Sequence, residues 1–140
     1  MVNSGRERLL EDWAEAWSSP ENEEKFLALF TEDCVYEDVA MGIVNHGKAE
    51  LKNFYHLAFS AFPDCKLELH TRFVAGNYAA AKWLISGTHT GDFPGLPASN
   101  KHTSVRVASV FELQGNQFRR CSDYWDMATF LKQIGAMPSA

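Results

Sequence analysis

The chain has 140 residues, 18 acidic against 13 basic, for a net charge of −5. That length is one domain, able to bury roughly two-thirds of its unfolded surface without a disulfide or metal staple, and the acidic balance excludes the basic face a nucleic-acid partner requires. Hydrophobic residues at 46% exclude disorder, and no apolar run approaches the ~18 residues of a membrane span.

In chain order, Ser4 and Glu7 have the spacing of a capping box. Leu10, Trp13, Ala14 and Trp17 follow as one apolar helical stripe. Ser19-Pro20 supplies an N-cap and a first-turn proline for a second helix, with Phe26, Leu27 and Phe30 on its buried side. Cys34–Val39 is short and alternating, and predicts a strand. Gly47–Phe62 predicts a third helix on the period of Leu51, Phe54, Tyr55, Ala58 and Phe62, stopped by Pro63-Asp64.

The hydrophobic period then changes to two. Lys66–Ala75, Tyr78–Thr90, His102–Leu113 and Gln117–Trp125 predict strands, with tight turns at Gly76-Asn77 and Gly115-Asn116 and a longer loop over Thr90–Lys101. Asp126 caps a last short helix, Met127–Ile134, ended by Gly135. Helices followed by a run of strands give an α+β domain over residues 1–140: three N-terminal helices on one curved, mostly antiparallel sheet, with a short C-terminal helix.

Absent motifs narrow the chemistry. The sequence has no GxGxxG, no GxxxxGK[ST] and no GxSxG. His46, His56, His70, His89 and His102 lack tight ligand spacing, so neither metal nor other cofactor is expected. Cys34, Cys65 and Cys121 are odd in number and widely spaced, as expected of buried thiols in a reducing compartment. The first residues lack the apolar core of a signal peptide, and a cytoplasmic location is expected.

What remains is an aromatic-rich cup, and a small hydrophobic molecule is the expected partner. Most of its aromatic residues serve the core. The candidates for lining a pocket are Trp13, Trp17, Tyr36, Phe54, Phe59, Trp83, Val107 and Trp125. On the last strand, alternation puts Asp123 on one face with Cys121 and Trp125, and Tyr124 with Asp126 on the other. Asp126 has a ready role as the helix cap. Asp123 has none, and facing an apolar cup its pKa would rise toward that of a working general base. Alternation alone leaves open which face is the solvated one.

Phe30-Thr-Glu-Asp-Cys-Val-Tyr36, His46-Gly47, Gly87-Thr-His-Thr-Gly-Asp-Phe-Pro-Gly-Leu-Pro97 and Asp123-Tyr-Trp-Asp-Met-Ala-Thr-Phe-Leu-Lys-Gln-Ile-Gly135 resemble the SnoaL-like polyketide cyclase ("ester cyclase") branch of the NTF2-like superfamily. The resemblance implies a cone whose concave sheet face and N-terminal helices enclose a pocket. It implies that Asp123 is the acid/base of a metal-free, aldol-type cyclisation and faces that pocket. Two positions depart from the pattern: Ser109 stands where the cyclases carry a histidine, and Tyr36 where they carry a small polar residue. Ser109 and His89 complete the catalytic candidates, with Tyr36, His89 or a neighbouring hydroxyl holding an enolate. The rival expectations are a non-catalytic binder and an epoxide hydrolase, because this fold carries many chemistries.

With Asp123 inward, Val105, Val107, Ser109 and Phe111 should also face in, together with Trp83 and Ile85. Arg106, Ala108 and Lys82 should face out. Leu84, Ala108 and Val110 would then leave an apolar patch on the convex face, and a homodimer through the sheet is expected.

Overall fold

The computed structural model describes residues 2–138, with side chains from Gly5 onward. Helix α1 (Val2–Ala16) leads to a 3-10 turn (Pro20–Asn22) and α2 (Glu23–Ala28), then strands β1 (Phe30–Asp38) and β2 (Ile43–His46). Helix α3 (Gly47–Ala61) follows, then β3 (Lys66–Ala75), β4 (Tyr78–Thr88), β5 (His102–Gln114), β6 (Gln117–Trp125) and α4 (Met127–Gln133). One six-stranded sheet runs β2-β1-β6-β5-β4-β3. Among the described residues, the β1–β6 pair is its only parallel one. The expected α+β class and mostly antiparallel sheet are therefore observed.

Differences from the expected elements have local causes. Helix α1 begins at Val2, so Ser4 lies inside its first turn and is not its N-cap; the Ser4 side chain lies outside the described residues. Ser19 does cap the next turn, accepting from the Glu21 amide at 3.3 Å, with Pro20 behind it. Phe30 belongs to β1 and not to the second helix, because the Leu29 carbonyl already accepts from the Phe118 amide at 2.7 Å. That bond draws the chain onto β6 four residues before Cys34. Strand β2 was not expected. It has only four residues, too few for a period, and it returns along β1 through a turn in which Gly42 has φ +69°. Strand β4 stops at Thr88, since the Thr90 and Gly91 amides donate instead to the Ala61 carbonyl at the end of α3, both at 3.1 Å.

The inward and outward sets hold along β4 and β5: Trp83, Val105, Val107, Ser109 and Phe111 are buried, while Lys82, Arg106, Ala108 and Val110 are exposed. Strand β3 changes sides. Its register shifts between Leu69 and Thr71, so Leu67 and Leu69 turn inward before the shift and Arg72 and Val74 after it. Such an irregularity bends the strand and re-aims its side chains. It lets Arg72 reach Glu11 of α1 at 2.6 Å. Trp13 of α1 packs on Trp83 and Phe111, with centroids 4.5 and 5.2 Å apart, which seats the helix on the concave face. The convex face leaves Val110 and Tyr124 exposed. Among the described residues, no helix is long and apolar enough to cross a membrane.

Candidate active site

Helix stripes and strand alternation converge on one cavity between the sheet and the helices. Trp13 of α1, Trp17 just past its C-terminal end, Phe54 of α3, Tyr36 and Asp38 of β1, Val107 of β5, and Asp123 and Trp125 of β6 all line it. Phe62, Phe93 and Phe130 complete the aromatic wall toward the loop and α4.

The carboxyl of Asp123 is met by hydroxyls from the two strands beside it. Ser109 lies across β5–β6 in direct register and donates its hydroxyl to Oδ1 at 2.6 Å. Tyr36, on β1, donates its hydroxyl to Oδ2. The Cys121 thiol, two residues back on the same face, contacts Oδ1 at 3.4 Å. The two positions at which the sequence departs from the cyclase pattern are thus the two hydroxyls that hold the aspartate. Among the described residues, no Lys, Arg or His lines the cavity. Arg72 of β3, on the inward side of its strand, pairs with Glu11 of α1 and not with Asp123.

Burial pushes the Asp123 carboxyl up to about 6, against the opposing pull of the Ser109 and Tyr36 hydroxyls. The same burial, and then the neighbouring Asp123 charge, drives the Tyr36 phenol and the Cys121 thiol well above their ordinary values. Both therefore stay protonated and remain donors.

Sequence reasoning missed Asp38. It sits opposite Asp123 in the parallel β1–β6 register and is only 5% exposed. Its Oδ1 accepts from the Met41 amide at 2.9 Å, an Asx-type turn, and from the Trp125 indole at 2.8 Å. Burial raises its pKa, while these donors hold it down. Its negative charge in turn helps raise Asp123. The available sign was alternation, which places Asp38 two residues beyond Tyr36 on the same face.

Other candidates lie outside the lining. Phe59 stacks on Trp17 at 5.9 Å and Trp83 backs Trp13. Ser109 is buried and meets the cavity through Asp123. His89 is fully buried, stacked on Phe62 at 5.2 Å, with Nδ1 2.9 Å from the Ser99 hydroxyl. Burial lowers its pKa. The structure thus brings Tyr36, Ser109 and Asp123 together but sets His89 apart from them. Among the described residues, no group of three His, Cys, Asp or Glu side chains is disposed to hold a metal.

Comparison with solved structures shows the ketosteroid isomerase-like fold. A SnoaL-like polyketide cyclase homologue from Jannaschia sp. CCS1 superposes with TM-score 0.86 at 16% identity, covering 96% of this chain and 94% of that one. A protein assigned as a polyketide cyclase from Silicibacter sp. TM1040 gives 0.78 at 23% identity, covering 92% and 94%. A ketosteroid isomerase-like protein from Catenulispora acidiphila, solved with trimethylamine, gives 0.81 at 19% identity, covering 92% and 93%. No curated protein matches the chain by sequence. The family profile of the SnoaL-like polyketide cyclases aligns with residues 7–134, from α1 through α4 and across every strand that builds the cavity. By that match the chain belongs to the SnoaL-like polyketide cyclase family.

Proposed function

We propose that this protein is a cofactor-independent acid/base enzyme acting on an apolar carbonyl compound, of cyclase or isomerase type, with Asp123 as the base. One observation carries the reading: a carboxyl in the wall of an aromatic cavity, held by neutral donors, with its pKa raised to about 6. Such a group is ionised at neutral pH yet basic enough to accept a proton from carbon, and such help is worth about 10²–10⁴-fold. Tyr36 and Ser109 fix both carboxyl oxygens in direction. The apolar walls exclude water and position the substrate. The expected outcome is that the protein speeds exchange of the methyl protons of 2-acetonaphthone for solvent deuterium, followed by NMR, and that Asp123→Asn does not. Equal exchange by the two proteins would sink the assignment.

A second reading, a binder without turnover, is favoured by Asp38. Its carboxylate sits among aromatic rings with no basic side chain in the lining, which suits an ammonium group. The Catenulispora relative was solved with an amine. Calorimetric titration with trimethylammonium, showing saturable binding that Asp38→Asn abolishes, would favour this reading.

The exposed Val110 and Tyr124 support a homodimer through the convex face. Light scattering at micromolar concentration checks it, and a monomer there overturns it.

A further inference from the structure

The loop after β4 carries His89, which does not line the cavity, and Phe93, which does. Close ties fix both ends of this loop. At the near end the Thr90 and Gly91 amides donate to the Ala61 carbonyl. A Cβ on Gly91 would lie 2.1 Å from the Ser60 carbonyl oxygen, so only glycine fits against the end of α3. At the far end the Asn100 amide donates to the His89 carbonyl at 2.8 Å, and the His89 amide to the Lys101 carbonyl at 2.9 Å. Asn100 turns the chain there with φ +59°.

Between these ties, residues 92–99 bond mainly to one another. The Ala98 amide donates to Asp92 Oδ1 at 2.9 Å, and Phe93 and Leu96 exchange backbone bonds at 3.0 and 2.7 Å. Phe93 is 7% exposed and packs edge-on against Phe62, another lining residue, while its chain neighbours Asp92 and Pro94 are exposed. The cavity wall here is a single thickness of backbone, with ligand space on one side and solvent on the other. His89 fastens it down. Its ring is fixed against Phe62 and Phe130, with centroids 5.2 and 5.7 Å away. Its Nδ1 lies 2.9 Å from the Ser99 hydroxyl, and the Leu96 carbonyl is close enough to favour the protonated ring. Among the described residues, only His89 and the adjoining Lys101 amide make polar contact with residues 92–99 from outside.

We infer that residues 92–99 are a flap over the cavity, with Phe93 as its door, Gly91 and Asn100 as its hinges and His89 as its latch. A segment that is tied at two points and bonded within itself swings as a unit, because few bonds to the body must break. A small apolar ligand enters and leaves past Phe93 when the Ser99–His89 contact opens. Closure returns the apolar wall and keeps water out. His89 is thus a positioning residue that holds the wall and touches no ligand. The inference stands whether the ligand is turned over or only bound.

The cysteines supply the test. Cys65 lines the cavity, whereas Cys34 and Cys121 are fully buried and do not. The folded full chain is treated with methyl methanethiosulfonate, a small apolar thiol reagent, and the initial rate at each cysteine is read by peptide mass spectrometry. Ser99 does not line the cavity, so S99A removes the latch bond and leaves the wall in place. The expected result is that S99A speeds modification of Cys65 by about five-fold, the worth of one ordinary hydrogen bond, with Cys34 and Cys121 unchanged. F93A, which removes the door itself, should speed Cys65 further, and it gives the same readout where S99A does not fold. Equal rates at Cys65 in the wild type and the variant overturn the flap. An increase shared by all three cysteines also overturns it, because the loop then holds the whole fold and not an entrance.

Discussion

The cavity wall at the end of β6 and the cap of α4 lie three residues apart, and each is built on an aspartate met by hydroxyl groups. Asp126 accepts from the Thr129 hydroxyl at 2.6 Å and the Thr129 amide at 3.0 Å. Asp123 accepts from Ser109 at 2.6 Å and from Tyr36. The hydrogen bonding is similar, yet the pKa values move in opposite directions. The Thr129 hydroxyl and amide pull Asp126 down in open solvent, whereas burial lifts Asp123 to about 6 despite its donors. Desolvation, more than the number of hydrogen bonds, turns one carboxylate into a cap and the other into a candidate base.

The comparison breaks most sharply on activity. D123N should lower deuterium exchange by about 10²–10⁴-fold, while D126N should leave it unchanged. Comparable losses from both, read in the same NMR assay, would mean that burial is not what separates them.

Stability gives the next largest contrast. Moving the Asp123 carboxyl from 3.8 to about 6 corresponds to ~3 kcal/mol against the folded, ionised state. Its pKa is higher folded than unfolded, so this cost is absent below the unfolded value, grows from about 4 to 6, and is complete above. D123N should therefore stabilise the protein at pH 8 by about 1–3 kcal/mol, with the gain fading toward pH 4. Urea unfolding at both pH values checks this. A loss of about 3–5 kcal/mol would instead reveal a stranded ion-pair partner.

Two variants sharpen the pH profile of exchange, whose rising limb should have its midpoint near 6. Tyr36→Phe removes a donor that favours the carboxylate, and should move the midpoint up by about one pH unit. Asp38→Asn removes a nearby negative charge and should move it down, by less than the loss of the hydroxyl moves it up. Rate profiles from pH 4.5 to 8 read both shifts.

The smallest effect belongs to the cap. Asp126 has a lower pKa folded than unfolded, so it favours the fold above the unfolded value, and that contribution is lost as pH falls through the folded one. D126A should lower the melting temperature slightly at pH 7, with the difference vanishing in strong acid.

These contrasts were partly visible in the chain. The long periodic elements α3 and β5 were legible because each repeats its own period over 13 or more residues. Asp123 could be singled out because Asp126 had an evident local duty and Asp123 had none. The residues that escaped reading depend on long-range contacts. Strand β2 forms because β1 is already an edge, Phe30 is a strand residue because β6 lies beside it, and Arg72 faces inward because β3 shifts register. Asp38 was hidden for a different reason: its carboxylate closes a local turn and also reaches Trp125, 87 residues away, and only the first of these is local.

The parallel pairing of β1 with β6 also sets when the site can exist during synthesis. Tyr36 and Asp38 are made early, but the groups they hold, Asp123 and Trp125, come 87 residues later. At roughly 5–20 residues per second, a ribosome needs several seconds to cover that interval. Until then β1 is paired with β2 on one edge only, its other edge open beside α3, and closing so long a loop is slow in proportion to its contact order. The Tyr36–Asp123 contact is a seam between the two ends of the chain, so a truncated product that stops before β6 carries helices and aromatic residues but not this carboxyl and its donors.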